Sequence, residues 1–462
     1  MNKKETIESM SIIFAWGDNQ SGQLGNGSNT DSNVPVNVSG LTNVLAVAGG
    51  DLQSRALLSD GTVWAWGRNF FGQPGNGSNT DSNVPVNVGG LTSAIAIAAG
   101  GEHSLVLLSD GTVWAWGGNG NGQLGNGPNI SSHVPVNVSG LTSPIAIAAG
   151  GNHSLALLSD GTVRAWGFNG SGQLGNGSNI SSNVPVNMSD LTNVIAIAGG
   201  NFHSLALLSD GTVWAWGDNF FGQLGNGSNT NSNVPVNVSD LTDVIAIAAG
   251  GFHSLALLSD GTVRAWGDNF SGQLGNGTNT NSNVPVNVSD LTNVIAIAAG
   301  LAHSLALLSD GTVRAWGFNS SGQLGNGSNT DSNVPINVSG LTNVVAIAGG
   351  FFHSLAIQQP IPTVNDTQPP IITCPVDITV FNDPGSNGAF VNFSEPTVSN
   401  NCPGVTAVYT PASGSFFPRG TTTVTCIAID AAGNISTCSF NVRVIVDPCR
   451  FFSGRCHRRG CC

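Results

Sequence analysis

Six histidines recur at one spacing: His103, His153, His203, His253, His303 and His353, each 50 residues from the last. A serine follows each of them, and an imidazole near a hydroxyl is the raw material of nucleophilic catalysis. Neighbours on a strand point to opposite faces, so His103 and Ser104 cannot pair within one strand. Imidazoles are also common metal ligands. A histidine present in every copy but one, where Gln53 stands, is expected instead to make a structural hydrogen bond inside its own repeat. The segments equivalent to residues 18–33 are rich in Asp, Asn and Gly but lack the bidentate Glu and the acid spacing of a calcium loop. Cys449, Cys456, His457, Cys461 and Cys462 match no zinc-finger spacing. No glycine-rich segment ends in the lysine of a phosphate loop. The expectation is a non-enzymatic chain with no catalytic residue, no metal and no cofactor.

The remaining candidates are aromatic and acidic residues that change from copy to copy. Eleven of the twelve phenylalanines before residue 360 fall in two variable groups, Phe14 being the twelfth. Phe202, Phe252, Phe351 and Phe352 belong to one, where other copies carry Asp51-Leu52 or Gly101-Glu102. Phe70, Phe71, Phe168, Phe220, Phe221, Phe270 and Phe318 belong to the other, beside Asp218 and Asp268. Aromatic side chains are favoured anchors at protein interfaces, so these thirteen residues are candidate contacts for an unknown protein partner. The competing expectation is that the rings fold inward and pack against neighbouring loops.

The repeat itself must position them. Ala-Trp-Gly returns with its tryptophan at Trp16, Trp66, Trp116, Trp166, Trp216, Trp266 and Trp316. Gly-Gln-Leu-Gly-Asn-Gly follows each time, with Pro74 for leucine in the second copy, and no copy carries an insertion. A fixed period of this size marks a repeat architecture. Each repeat predicts four short strands: a weak edge strand at residues 84–88 with Pro85, an alanine-rich strand at 94–99, and two more at 103–108 and 112–116. Ser109-Asp110-Gly111 is the hairpin turn between the last two. Residues 103–108 are apolar on both faces, so that strand lies between two layers, and blades packed round an axis supply them. The small alanines suit the crowded axis.

The last repeat runs from residues 353–357 into Gln358-Gln359-Pro360 with no fourth strand, while residues 12–16 form a fourth strand with no third. Pairing these two closes the ring and removes two open edges. The alternative is that residues 361–364 supply the missing strand. Alternating strand direction then sets both phenylalanine groups on one rim and the Ser-Asp-Gly turns on the other.

Composition narrows the partners. Charged residues make up 8 % of the chain, against about 25 % in ordinary globular domains. Residues 1–359 carry seven Lys+Arg and twenty Asp+Glu, a balance that repels nucleic-acid phosphates. No stretch reaches the roughly 18 apolar residues of a membrane helix. The apolar run at residues 10–15 is too short for a signal-peptide core, so the protein is expected to stay inside the cell or to start further upstream.

The pattern carried by residues 99–107, 110–113 and 116–125 resembles the repeat of the regulator of chromosome condensation family over roughly residues 11–358. The resemblance implies a seven-bladed β-propeller. That fold hosts nucleotide exchange on small GTPases, ultraviolet sensing and β-lactamase inhibition. The exchange factors insert a wedge in one blade, which no copy has, and the photoreceptor's Trp-Arg-His-Thr motif is absent.

Further on come Asp366 with Pro369-Pro370, Thr373-Cys374-Pro375, Asn401-Cys402-Pro403, Phe417-Pro418-Arg419-Gly420 and Val424-Thr425-Cys426. The run from Asp430 through Gly433-Asn434 to Cys438-Ser439-Phe440 closes the pattern. Residues 366–447 thereby resemble a hyalin repeat, a small immunoglobulin-like β-sandwich of adhesion and extracellular-interaction proteins. Phe440, Val442 and Val444 alternate as on a half-buried strand. Cys374, Cys402, Cys426 and Cys438 are disulfide candidates in any of three pairings.

The expected organisation is an all-β chain. It has a leader at residues 1–11, a propeller at 12–358, a linker at 359–369, the immunoglobulin-like domain at 370–447 and a Cys/Arg-rich tail at 448–462. The expected role is a monomeric protein-binding scaffold at the cell surface or outside the cell. The alternatives are a cytoplasmic regulator of a small GTPase or other enzyme, and a coat component cross-linked by tail cysteines. Numerous Asn-x-Ser/Thr sequons, such as Asn26-Gly27-Ser28, point toward a bacterial source.

Overall fold

A computed structural model describes residues 11–359, 368–400, 405–430 and 432–446. The chain divides into two compact units at residues 360 and 361.

The first unit is seven four-stranded antiparallel sheets. Blade 1 runs outward from the axis as Val44–Gly49, Gln53–Leu58, Val63–Gly67 and Ser82–Asn87. Blades 2 to 6 repeat it every 50 residues, starting at Ala94–Ala99, Pro144–Ala149, Val194–Gly199, Val244–Ala249 and Val294–Ala299. Blade 7 is assembled from both ends: Val344–Gly349 and His353–Gln358, then Ile12–Gly17 and Ser32–Asn37. Ile12 faces Gln358 and Gly17 faces His353 in one unbroken register. The expected ring-closing pairing is therefore present, and the edge that residues 361–364 would have needed is taken; those residues lie outside the described ones. The strand expected at 112–116 lies one residue later, at Val113–Gly117, and a second boundary differs more. The weak strand begins two residues earlier, at Ser82, and is the outer strand of the blade before it, so sequence repeat and blade are one strand out of phase.

The cores lie between blades. Leu205, Leu207, Val213, Ala215 and Leu224 of blade 4 pack with Val244, Ala256 and Trp266 of blade 5, and the other seams repeat this. Each seam is also tied by hydrogen bonds. Trp166 Nε1 and Ser154 Oγ both donate to Gln123 O of the blade before, at 2.9 Å each. His103 Nε2 lies 2.9 Å from Ser154 Oγ, and the same contact runs round the ring to His353 with Ser54 at 2.8 Å. The histidines are thus structural, as expected, but their bond crosses to the next blade rather than staying inside the repeat. Because each serine hydroxyl donates to a carbonyl, it accepts from the imidazole, so Nε2 carries the proton. The bare Nδ1 atoms are buried without a partner. At Gly200 a Cβ would lie 2.2 Å from the His203 ring, so the glycine preceding each turn makes room for the imidazole.

The second unit pairs Ile378–Phe381, Ile435–Ile445, Gly420–Ile429 and Thr406–Thr410 in one sheet, with two small two-stranded sheets beside it. Phe440, Val442 and Val444 are buried, as their alternation predicts, with Val424 and Phe417. Of the four cysteine candidates, Cys374 bonds Cys438. Cys426 is a buried free thiol, and Cys402 lies outside the described residues. A small domain stapled across 64 residues depends on its bridge. Cys374→Ser is expected to lower the melting transition of this unit by about 2–5 kcal/mol while the propeller's transition stays in place, read by differential scanning calorimetry.

Candidate functional site

Each third strand ends in a loop built on an asparagine. In blade 7, Asn19 Nδ2 donates to Ser28 O and Thr30 O, both at 3.0 Å, and Asn19 Oδ1 accepts from Leu24 N at 2.9 Å. Asp31 Oδ1 accepts from Asn19 N at 2.8 Å. Ser131, Ser181, Asn231 and Asn281 take the Asp31 position in other blades and do the same work. The Asp and Asn content of these loops is thereby accounted for by backbone capping.

The loops and the turns after the inner strands meet on one rim, as strand alternation predicts: Phe168 N donates to Asn152 O and Asp218 N to Phe202 O. Across blades 3 to 5 the rings merge. Phe168 touches Phe202 at 6.1 Å and Phe202 touches Phe252 at 6.0 Å between centroids. Phe221 lies 5.5 Å from Phe252, 4.9 Å from Phe220 and 5.9 Å from Phe270. Phe318, Phe352 and Phe351 form a second group in blades 6 and 7. Phe70 and Phe71 form a third in blade 1, with the Arg68 guanidinium 5.9 Å from the Phe70 ring.

The rings divide into a folded-in set and an exposed set. Phe71, Phe168, Phe202, Phe221, Phe252, Phe318, Phe351 and Phe352 are half-buried and make a floor. Phe70, Phe220 and Phe270 stand out at 66, 71 and 69 % exposure. Their loop-tip position is exposed in every blade and elsewhere holds Gln20, Gly120, Gly170 or Ser320, so the fold does not require phenylalanine there. The acids behave differently. Asp268 is buried and Asp218 half-buried. Gln273 Nε2 donates to Asp268 and Gln223 Nε2 to Asp218, at 2.7 Å each, so both brace their loops instead of presenting a free charge.

Asp51 and Glu102 stand in sequence only as variable positions, and Arg68 joins them in the fold. Asp51 lines a small axial cavity of about 70 Å³ walled by glycine backbone. Burial first, then the Glu102 charge, pushes its carboxyl up to about 7, against the pull of Arg68. On the opposite rim, the second residue of each inner strand sits in a β-bulge: Val194 faces Leu208 and Ala196 faces Leu207, leaving Ile195 unpaired. Ile195 is 56 % exposed, and its equivalents from Leu45 to Val345 are similar. Alternation could not reveal this crown, because a bulge breaks the two-residue period.

Comparison with known proteins agrees with the geometry. A structure of human WBSCR16 superposes with a TM-score of 0.69 at 27 % identity, covering 76 % of this chain and 99 % of that one. Prp20p from Saccharomyces cerevisiae, whose structure was described with its binding to Gsp1p and histones, superposes at 0.68 with 25 % identity, covering 76 % and 92 %. The HYR domain model matches residues 365–444. There the chain is 38 % identical over 82 residues to hyalin of Strongylocentrotus purpuratus and 39 % identical over 84 residues to that of Lytechinus variegatus. Each match takes in 17 % of this chain, and 7 % and 16 % of those proteins' lengths respectively. Among the described residues no helix is long and apolar enough to cross a membrane. The RCC1-like domain model matches residues 12–356, and with seven blades closed by the pairing of Ile12–Gly17 on His353–Gln358, the chain belongs to the RCC1-like domain family and carries a HYR domain later in its sequence.

Proposed function

We propose that the protein is a non-enzymatic scaffold that captures a protein partner on the aromatic rim of its propeller, at the cell surface or outside the cell. The supporting observation is the set Phe70, Phe220 and Phe270, large apolar rings exposed at a loop position that the fold fills elsewhere with Gln, Gly or Ser. Phe220 and Phe270 share one cluster through Phe221, while Phe70 stands apart in blade 1, and exposed apolar patches on a folded domain mark interaction sites. The half-buried rings beneath hold the exposed ones in edge-on contacts, which limits the entropy lost on binding. The HYR domain's likeness to hyalin and the Cys374–Cys438 bridge support an oxidising, extracellular setting.

Phe220→Ala with Phe270→Ala is expected to leave the melting temperature nearly unchanged, since neither ring is buried. Capture of native partners should fall at least about tenfold, as for hot-spot residues. Quantitative mass spectrometry of proteins retained from the source organism checks this; equal recovery by wild type and variant would refute the rim as the binding face. The likeness to Prp20p favours a second reading, regulation of a small GTPase. Acceleration of nucleotide release on mixing with candidate GTPases would support that reading over the first.

A further inference from the structure

The rim opposite the phenylalanines carries a different surface. Leu45, Ile95 and Ile145 bulge from successive inner strands and are 61, 57 and 57 % exposed. Those strands run with Cα atoms within 8 Å of one another round the axis. Between blades 1 and 2 this crown opens. Blades 1 and 4 to 7 begin their inner strand with a buried valine, such as Val194 or Val344, whereas blade 2 has the smaller Ala94. Beside Ala94 lies a cleft of about 380 Å³, walled by Leu45, Leu57, Leu58 and Ile95.

The charge round the cleft has one sign. Asp60 lines it, and so does Ser109, the residue before Asp110. Each carboxylate accepts from the threonine two residues on, from the hydroxyl at 2.7 Å and from the amide at 2.9 Å. These bonds hold both acids below the usual carboxylate range, and so ionised. In blades 3, 5 and 6 an arginine, Arg164, Arg264 or Arg314, acts on the equivalent acid. Blades 1 and 2 have Trp64 and Trp114 there instead, and each indole N–H donates to the same threonine, at 3.3 and 3.1 Å. Asp60 and Asp110 therefore lack the arginine that those blades supply.

We propose that this cleft is a second docking site, for a partner polypeptide segment that carries an apolar side chain between cationic ones. The apolar side chain fills the cleft against Leu57 and Ala94, and lysine or arginine beside it meets Asp60 and Asp110. Charge complementarity selects this occupant. A second copy docked crown to crown would oppose Asp60, Asp110 and Asp210 to their own kind. Anionic lipid headgroups and nucleic-acid phosphates meet the same repulsion. The cleft and the aromatic rim lie at opposite ends of the blades, so the two sites stand or fall separately.

Fluorescence anisotropy of a labelled synthetic peptide of alternating lysine and leucine, titrated with the full chain, tests the site. The peptide is expected to bind at least about tenfold more tightly than the same peptide with serine for every leucine, since each buried leucine contributes that much or more. Leu45→Ser with Ile95→Ser should weaken binding at least about tenfold and keep the fold, because both side chains are exposed. Ala94→Val, which fills the cleft with the residue most other blades carry, should weaken it several-fold. Asp60→Asn with Asp110→Asn should weaken it at low salt and flatten its salt dependence. Phe220→Ala with Phe270→Ala should leave it unchanged. No binding by the wild type, or binding indifferent to Leu45→Ser with Ile95→Ser, overturns the proposal, for charge alone would then hold the peptide. Loss of binding in Phe220→Ala with Phe270→Ala would put the peptide on the aromatic rim and refute the cleft. A dimer in sedimentation that Leu45→Ser with Ile95→Ser dissolves would make the occupant a second copy and refute it too.

Discussion

Lowering the pH from 7 to about 4.5 is expected to unfold the propeller in one steep transition with the uptake of several protons. Burial holds His103, His203, His253 and His353 down to about 3, and His153 and His303 to about 4. Neighbouring charge adds to burial in four of them, Arg55 acting on His103 and adjacent histidines on one another. The geometry explains why no proton is taken up in the fold. Nε2 already donates to a serine, and Nδ1 is buried with no acceptor to receive a second N–H. A base whose folded pKa lies below its unfolded value of about 6.5 binds protons preferentially when unfolded. It costs nothing above pH 6.5 and destabilises progressively as pH falls below that value. At pH 4.5 the gap is about 2 units, roughly 3 kcal/mol for each histidine. Six such residues give on the order of 15 kcal/mol, comparable with the 5–15 kcal/mol of a typical domain.

Asp51 acts in the opposite sense. Its carboxyl is raised to about 7, so protonation of the native state stabilises as pH falls from 7 toward 3.8, by about 3 kcal/mol at pH 4.5. One such group cannot offset six histidines. Urea titrations between pH 7 and 5 should show stability falling by several kcal/mol per pH unit. His153→Gln should reduce that slope by about one proton's worth, about 1.4 kcal/mol per unit. A slope corresponding to fewer than about three protons would mean that the imidazoles titrate within the fold.

Closure of the ring was legible in the sequence because it rests on a count: a strand of type 12–16 is surplus at one end and missing at the other. The rim was legible because direction alternates along any antiparallel blade. The histidine's partner was not. His103 and Ser154 are 51 residues apart, one repeat plus one, so strict periodicity is satisfied equally by a bond within the repeat or to the next. The same ambiguity hid the blade boundary, since the outer strand Ser82–Asn87 lies nearer along the chain to Ala94–Ala99 of the next blade than to Val63–Gly67, with which it pairs. Asp218 and Asp268 stood beside phenylalanines in sequence, yet glutamines five residues later, Gln223 and Gln273, claim their carboxylates. Asp51 and Glu102 meet only because the ring brings successive inner turns together at the axis.

Blade 1 departs from the repeat at three buried positions, and restoring them is expected to stabilise the propeller. Where blades 2 to 7 have His-Ser-Leu in the second strand, blade 1 has Gln53-Ser54-Arg55, and Pro74 stands where other loops bury a leucine. Arg55 is fully buried. Its Nε donates to Ser104 Oγ at 2.8 Å, doing the work of the absent histidine, and Nη2 reaches His103 O at 3.4 Å. Nη1 has no partner, and burial alone pulls the guanidinium down to about 9. Pro74 has no N–H, so Asn69 Oδ1 is left without the donor that Leu24 gives Asn19. One seam therefore holds an unmatched charge and an unmet acceptor where the others hold two leucines. Replacing a buried ion by a well-packed apolar residue commonly gains about 1–4 kcal/mol. Gln53→His, Arg55→Leu and Pro74→Leu together should gain at the upper end of that range, because histidine restores the donor to Ser104 as leucine removes it. The reverse change in an intact seam, Leu205→Arg with His203 retained, should cost at least about 3 kcal/mol, for the new charge finds its serine already taken. Denaturant melts of the two variants decide the point. Equal and small effects would show that water or an anion solvates Arg55, and a loss of stability in the triple variant would show that the seam has adapted to it.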